Sequence, residues 1–178
     1  TWIGATRGHG IDLLDPDHAE IDIDDIADGL SRSCRFSGLT AEPYTVAQHS
    51  VLASLMCKSH PLEALLHDAT EAYLGDVPKP AKLLCPEYQF AENRLAVAIG
   101  KRFGVTLHPL PAEVKTVDEQ LLFSEHAYLQ PRGPAWSLTT GLDTEEARIS
   151  LLVGIWESER AAMLFVRRFK KLTEVCVG

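Results

Sequence analysis

Residues 65–76 read LLHDATEAYLGD, an apolar helical pattern that carries several ionisable side chains. His67 and Asp68 are adjacent, and Glu71 follows one helical turn later. An imidazole nitrogen and a carboxylate oxygen are ligands that bind divalent transition metals. Consecutive helical residues point about 100° apart, but His67 and Asp68 can still reach one ion that lies beside the groove between them. The stretch therefore indicates part of a metal site, for which two ligands are too few.

Two further ligands are predicted on other helices. His49 lies in VAQHSVLAS and Asp118 lies in KTVDEQLLF, and apolar neighbours mark both positions as buried. Burying either side chain without a partner is unfavourable. One metal shared by His49, His67, Asp68 and Asp118 would remove that cost for all of them. Two imidazoles and two carboxylates leave coordination positions for water, so this set favours an open, catalytic site.

Other residues around the motif are candidates for acting on a substrate. Glu71 shares a predicted helix face with His67 and Asp68 and is a candidate general base or proton shuttle. Asp76, just past the helix end, could orient a water or a substrate group. The nearby basic side chains suited to phosphate oxygens are Arg35, Lys79 and Lys82. The aromatic candidates for walls of a base or sugar pocket are Phe36 and Trp136.

Each of these residues also has an ordinary structural interpretation. His49 fits a hydrogen-bonded core histidine, Asp118 fits an ion pair with Lys115, and Glu71 fits a solvated stripe shared with Glu63. The other candidates fit helix caps, loop charges, and core or lid aromatics: Asp76, Arg35, Lys79, Lys82, Phe36 and Trp136. Only the joint placement of ligand-type residues on successive helices favours the metal, and spacing alone leaves both interpretations open.

Composition limits the classes of function. The 178 residues are 46% hydrophobic and 24% charged, which suits one globular domain spanning 1–178. A net charge of -8 argues against general nucleic-acid binding, because phosphate repulsion would dominate. No apolar run reaches the ~18 residues of a membrane-spanning helix, and no secretory leader is apparent, so a cytoplasmic protein is expected. The four cysteines form no CxxC pair and are expected to be free thiols.

Helical periodicity dominates from Asp22 onward, so the predicted fold is an all-α bundle. The Gly- and Asp-rich first 20 residues are expected to be irregular, with a short hairpin. Thr45 is a predicted N-cap, and residues 76–86 are expected not to form a regular helix because prolines interrupt them. Residues 131–143 are a predicted loop, and an extended conformation remains open for 149–156. The predicted helices cover 22–34, 45–58, 61–75, 87–104, 111–129 and 157–172.

Longer motifs carry a resemblance to a known superfamily. They are RF at 35–36, VAQHS around His49, HDATEAYLGDVPKPAK from His67 to Lys82, and VKTVD ending at Asp118. These motifs resemble the HD-domain metal-dependent phosphohydrolases, in the branch containing the bacterial YfbR-type 5′-deoxynucleotidases. They are similar also to the phage DatZ-type dATP triphosphohydrolases. The similarity covers about residues 20–125, the predicted motif-bearing core of the HD domain.

The resemblance implies roles for individual residues. It implies one divalent transition metal (Zn, Co, Mn or Fe) bound by His49, His67, Asp68 and Asp118, with additional Mg on the substrate phosphates. It implies that Glu71 helps activate the attacking water, that Asp76 assists it, that Arg35 and Lys82 contact phosphate, and that Phe36 lines the nucleoside pocket. The nucleotidases typically carry Trp where this sequence has Phe36, so base or sugar contacts are expected to differ. The short spacing from His49 to His67 implies a tight connection between their helices.

The expected activity is hydrolysis of the 5′-phosphoester of a small deoxynucleotide. A monophosphate would release deoxynucleoside and phosphate, and a triphosphate (dATP first among the candidates) would release triphosphate. Relatives are commonly oligomeric, so a homo-oligomer is expected, in a bacterial cell or a phage-infected host. The alternatives are a non-catalytic HD module that binds a nucleotide or a partner, and a phosphodiesterase.

Overall fold

A computed structural model describes residues 2–130 and 154–174 of the chain. Helices account for most of this part, which confirms the predicted all-α fold. They are α1 (Ile23–Arg32), α2 (Val46–Met56), α3 (Pro61–Leu66), α4 (Glu71–Leu74), α5 (Lys79–Lys82), α6 (Pro86–Phe103), α7 (Ala112–Leu129) and α8 (Ser158–Glu174). Two short 3₁₀ turns cover Pro16–His18 and Arg35–Gly38.

The predicted N-terminal hairpin is present. Strand β1 (Trp2–Gly4) pairs antiparallel with β2 (Gly10–Asp12), and Ile3 lies opposite Ile11. The loop between the strands is joined to the start of α1, because the amide of Arg7 donates to Asp25 Oδ1 at 3.0 Å. The hairpin thereby covers one end of the helical core, in which Ile11 is buried.

Helix α2 lies at the centre of the bundle and contacts α1, α3, α7 and α8. Its residues from Val46 to Ser54 are all buried, so it lacks the polar stripe of a surface helix. Thr45 caps its N-terminus as predicted, accepting a hydrogen bond from the amide of Gln48 at 3.2 Å. A helix buried on every side brings its polar residues, His49 among them, into the interior.

The single helix predicted for 61–75 is wrong. Helix α3 ends at Leu66, residues 67–70 form a turn, and α4 begins at Glu71. The turn is tightened by hydrogen bonds to the third residue back, from the amide of Ala69 to Leu66 O at 3.0 Å and from that of Glu71 to Asp68 O at 2.9 Å. His67 and Asp68 therefore lie on the turn between two short helices and not within one continuous helix.

Prolines shape the next segment differently from the expectation. One helical turn, α5 (Lys79–Lys82), forms within 76–86 although a regular helix was not predicted there. Pro80 lies in its first turn, where a missing N–H removes no intrahelical hydrogen bond. Helix α6 begins at Pro86 for the same reason and ends before Gly104, whose φ of 71° is left-handed.

Two groups of buried apolar side chains surround the centre. The larger joins α1, α2, α3, α6 and α8, and the smaller lies between α2 and α7, with Leu52, Val117 and Leu121. Cys34, Cys57 and Cys85 are free thiols as predicted. In the described residues, no helix is long and apolar enough to cross a bilayer. Trp136, Cys176, the loop at 131–143 and most of 149–156 lie outside the described residues, while 154–156 has no regular secondary structure.

Candidate metal centre

Four side chains from α2, α7 and the turn at 67–70 converge on one point. His49 Nε2 lies 3.3 Å from His67 Nε2 and 3.3 Å from Asp118 Oδ1. Asp68 Oδ2 lies 3.2 Å from His67 Nε2 and 3.7 Å from His49 Nε2. At a metal–ligand distance of about 2.1 Å, neighbouring ligands of a tetrahedral or octahedral ion lie about 3.0–3.4 Å apart. The two 3.3 Å separations fall within this range, and the 3.8 Å between His67 Nε2 and Asp118 Oδ1 exceeds it slightly. The group of His49, His67 and Asp118 could therefore hold a transition metal, with Asp68 beside it.

Both imidazoles are oriented by their second nitrogen. His67 Nδ1 donates to the carbonyl oxygen of Ala64 at 2.8 Å, and His49 Nδ1 lies 2.7 Å from Glu125 Oε1. A proton fixed on Nδ1 leaves the Nε2 lone pair of each ring directed at the other ligands, as in metal-binding histidines generally. His49 is fully buried, whereas the side chain of Asp118 is 38% exposed, so the site has an open side.

The charges at the site favour a cation. Burial lowers the pKa of His67, but the carboxylates of Asp68 and Asp118 outweigh that effect and raise its pKa well above the usual value. Burial likewise raises the pKa of Asp118, but hydrogen bonds from His49 and His67 hold its pKa well below the ordinary range. Each carboxylate thus stabilises positive charge at the point where the ligands meet. A divalent ion bound by neutral imidazoles would supply that charge and release protons.

Arg35 is buried beside the four candidate ligands. Its Nη1 lies 3.4 Å from Asp68 Oδ2 and its Nη2 lies 4.0 Å from Asp118 Oδ1, while Nε donates to Glu125 Oε2 at 2.9 Å. The carboxylates outweigh burial and raise the pKa of Arg35, so the guanidinium stays charged. The next two residues, Phe36 and Ser37, have positive φ of 56° and 54°. Side-chain-bearing residues rarely adopt this conformation, and such strain is typical of functional segments.

Glu71 and Lys82 form a second charged group. Lys82 Nζ lies 3.1 Å from Glu71 Oε1 and 2.6 Å from Glu92 Oε1. Glu71 Oε2 is buried and has no hydrogen-bond partner in the described structure. Burial and the carboxylates of Asp68 and Asp76 raise the pKa of Glu71 well above the usual value, with Lys82 opposing them. An unpartnered oxygen with raised basicity is suited to accepting a proton.

The remaining candidates differ in how close they lie to this centre. Asp76 is half-buried, and its pKa is raised by burial although Arg35 opposes the shift. The half-buried ring of Phe36 packs against the guanidinium of Arg35, 5.8 Å from the ring centroid. Lys79 is exposed, and within residues 2–130 and 154–174 its side chain has no ion pair. The structure thus brings Phe36 and Asp76 near the ligands and leaves Lys79 at the surface.

Comparison with known proteins places the chain among bacterial relatives. It is 38% identical to the uncharacterized protein YfdR of Escherichia coli over 161 residues, which cover 88% of this chain and 86% of YfdR. The chain belongs to the same family as YfdR. The chain is also 39% identical to the uncharacterized protein RCAP_rcc00048 of Rhodobacter capsulatus over 125 residues, which cover 64% of this chain and 63% of that protein. No family model matches the chain.

Sequence reasoning missed three residues that lie around the candidate site. Glu125 and Tyr44 are fully buried and hydrogen bonded to each other at 2.8 Å, and Glu92 pairs with Lys82. Glu125 carried a usable signal, because it lies seven residues after Asp118, two turns along one helix face. Tyr44 and Glu92 carried none, since the partner of Tyr44 lies 81 residues away and Glu92 meets Lys82 across the chain reversal between α5 and α6.

Proposed function

We propose that the chain is a metal-dependent phosphohydrolase that cleaves the 5′-phosphoester of deoxynucleotides. The observation that carries the proposal is the His49–His67–Asp118 group, whose facing nitrogen and oxygen atoms lie 3.3–3.8 Å apart on an accessible side of the fold, with Asp68 Oδ2 within 3.7 Å of both imidazole nitrogens. His49, His67, Asp68 and Asp118 would hold the metal. An ion of Zn, Co, Mn or Fe there would supply Lewis acidity toward water and a phosphate oxygen.

Glu71 accepts the proton of the attacking water in this proposal. Among the described residues its buried Oε2 has no partner, while Lys82 holds Oε1 in place. Asp76, whose backbone amide donates to Ser33 Oγ at 3.3 Å, assists by orienting the water. A general base held in this way typically contributes about 10²–10⁴-fold to the rate.

Arg35 offsets the negative charge that develops on the phosphoryl oxygens. It is held by carboxylates on either side, so little reorganisation is needed when a phosphate arrives. Lys82 and the exposed Lys79 would contact further phosphate oxygens, with Mg as an additional counter-ion. Phe36 would line the nucleoside pocket.

The choice of a deoxynucleotide rests on the resemblance of the long motif around His67–Lys82 to the deoxynucleotidases. The same scissile bond serves a monophosphate, which yields phosphate, and a triphosphate, which yields triphosphate. dATP is the first triphosphate to test.

A homo-oligomer in the cytoplasm is part of the same proposal, and light scattering after gel filtration measures the oligomer number.

A substrate panel tests the proposal. The purified chain, loaded with Mn²⁺, Co²⁺ or Zn²⁺, is incubated with each dNMP and dNTP, and phosphate is resolved from triphosphate. We expect cleavage that is lost in His67→Ala and retained in His18→Ala, whose histidine is exposed. If no nucleotide is cleaved with any of these metals, the proposal is wrong. Cleavage of a cyclic or oligomeric nucleotide instead would identify a phosphodiesterase, and a metal-free protein unaffected by His67→Ala would indicate a binding module.

A further inference from the structure

Glu125 is a buried carboxylate to which the proposed reaction gives no role. It is fully buried near the C-terminal end of α7, two turns after Asp118. A buried carboxylate is costly unless several donors satisfy it. Glu125 therefore needs an explanation in terms of the groups that surround it.

Three donors from separate elements meet at this carboxylate. Oε1 accepts from the hydroxyl of Tyr44 at 2.8 Å and lies 2.7 Å from His49 Nδ1. Oε2 accepts from Arg35 Nε at 2.9 Å. Arg35 Nε and the hydroxyl of Tyr44 both donate to this carboxylate, which therefore acts as the acceptor. In the short contact with Oε1 the proton accordingly lies on His49 Nδ1, so both His49 Nδ1 and Arg35 Nε carry protons.

These two protons determine which atoms of His49 and Arg35 face the candidate metal ligands. A proton on Nδ1 of His49 leaves its Nε2 free to face His67 and Asp118. The bond from Nε of Arg35 directs its two terminal nitrogens toward Asp68 and Asp118. One carboxylate thereby orients both a metal ligand and the neighbouring cation. His67 differs from His49 in this respect. The backbone carbonyl of Ala64 fixes the ring of His67, and no side-chain substitution removes that carbonyl.

We propose that Glu125 is a positioning residue that fixes the tautomer of His49 and the direction of Arg35, so that the metal site is assembled before a metal binds. The inference rests on the proposed metal-dependent function and concerns the affinity of the site, not the chemical step. Residues that orient metal-binding histidines in this way contribute about 10–100-fold to metal affinity.

Glu125→Gln tests the inference with a side chain of the same shape. Arg35 offers only donors, so the amide oxygen of the new side chain turns toward it. The amide NH₂ then faces His49 Nδ1, and the ring responds by carrying its proton on Nε2, the atom that faces His67. We expect metal affinity, measured by competition with a chromophoric chelator, to fall about 10–100-fold.

Tyr44→Phe is the matched control. It removes one hydrogen bond to the same Glu125 oxygen and leaves His49 and Arg35 in place, so metal affinity should stay close to that of the wild type. Nitrogen-15 NMR of the chelator-treated proteins, at alkaline pH where the imidazole is neutral, should place the His49 proton on Nδ1 in the wild type and Tyr44→Phe, and on Nε2 in Glu125→Gln. A purely structural role of Glu125 would not move this proton.

The outcomes separate the inference from the proposed function. Unchanged metal affinity or an unchanged His49 tautomer in Glu125→Gln overturns the inference, whatever the enzyme hydrolyses. Weakened affinity with the altered tautomer, in a protein that cleaves no nucleotide, supports the inference and overturns the proposed function. If Glu125→Gln does not fold, Glu125→Asp replaces it, because the carboxylate is then too short by one methylene group to hold both donors. Wild-type affinity in that variant equally overturns the inference.

Discussion

Glu71 is distinguished by its buried Oε2, which has no hydrogen-bond partner in the part of the chain that the structure describes, so its substitution is informative. Glu71→Gln keeps the shape of the side chain and an oxygen that can accept from Lys82, but it cannot take a proton from water. We expect kcat to fall about 10²–10⁴-fold, with metal content by mass spectrometry unchanged. Glu63→Gln is the matched control, because Glu63, on α3, pairs with His60 just before that helix and not with the site. Retained activity in Glu71→Gln would exclude Glu71 as the base.

Lys82 should control the pH range in which Glu71 works. Burial and nearby carboxylates raise the pKa of Glu71, and Lys82 is the group that lowers it. A base is active only when ionised, so the rate rises with pH through this pKa. Lys82→Met removes the opposing charge, and we expect the acid limb of the kcat/KM profile to move to higher pH. Lys79→Met, which removes an exposed charge without an ion pair in the described residues, should leave the acid limb in place.

At the scale of elements, sequence periodicity predicted α1, α2, α6, α7 and α8 and the N-terminal hairpin, because each depends on local pattern, caps and breakers. The turn at 67–70 was not predicted, because its residues read as helical and only tertiary packing selects the tighter hydrogen bonds. The candidate ligands were found because polar residues stood out among apolar neighbours. Glu125 was missed although its spacing from Asp118 placed both on one helix face, because the donors that surround it, Arg35 and Tyr44, lie 90 and 81 residues away.

The close approach of α1 to α4 positions Glu71 and can be tested at Gly29. A Cβ at this position would lie 2.6 Å from Ala72 O and 2.8 Å from Ala72 Cβ, both in α4. Alanine gains up to about 1 kcal/mol of helix propensity over glycine, but overpacking of this kind costs about 1–3 kcal/mol. We therefore expect Gly29→Ala to lower the free energy of unfolding or to shift α4. In either case the position of Glu71 is disturbed, and we expect hydrolytic activity to fall.

Denaturant unfolding and nucleotide hydrolysis measure the two effects of Gly29→Ala. Gly4→Ala is the control, since an added Cβ there meets nothing within 4 Å. Wild-type stability and activity in Gly29→Ala would show that the contact between α1 and α4 does not hold the site.

At the scale of the whole molecule, acidic charge is in excess both overall and locally. The net charge is -8, and the centre gathers the carboxylates of Asp68, Asp76, Asp118, Glu71 and Glu125 around the cations Arg35 and Lys82. Repulsion between carboxylates gathered at one place destabilises the folded state, and a bound divalent cation reduces this repulsion. Metal binding should therefore be visible as stability of the entire fold.

Thermal unfolding with and without metal tests this coupling. A ligand that binds only the folded state at 100 times its Kd adds about 2.7 kcal/mol, which for a domain of this size raises Tm by about 5–10 °C. We expect Mn²⁺, Co²⁺ or Zn²⁺ to raise the Tm of the wild type by this order, and EDTA to reverse it. His67→Ala should lose the increment whatever its own metal-free Tm, because the three remaining ligands bind weakly. His18→Ala should keep it, since that side chain is 87% exposed. An increment that persists in His67→Ala would place the stabilising ion elsewhere on the molecule.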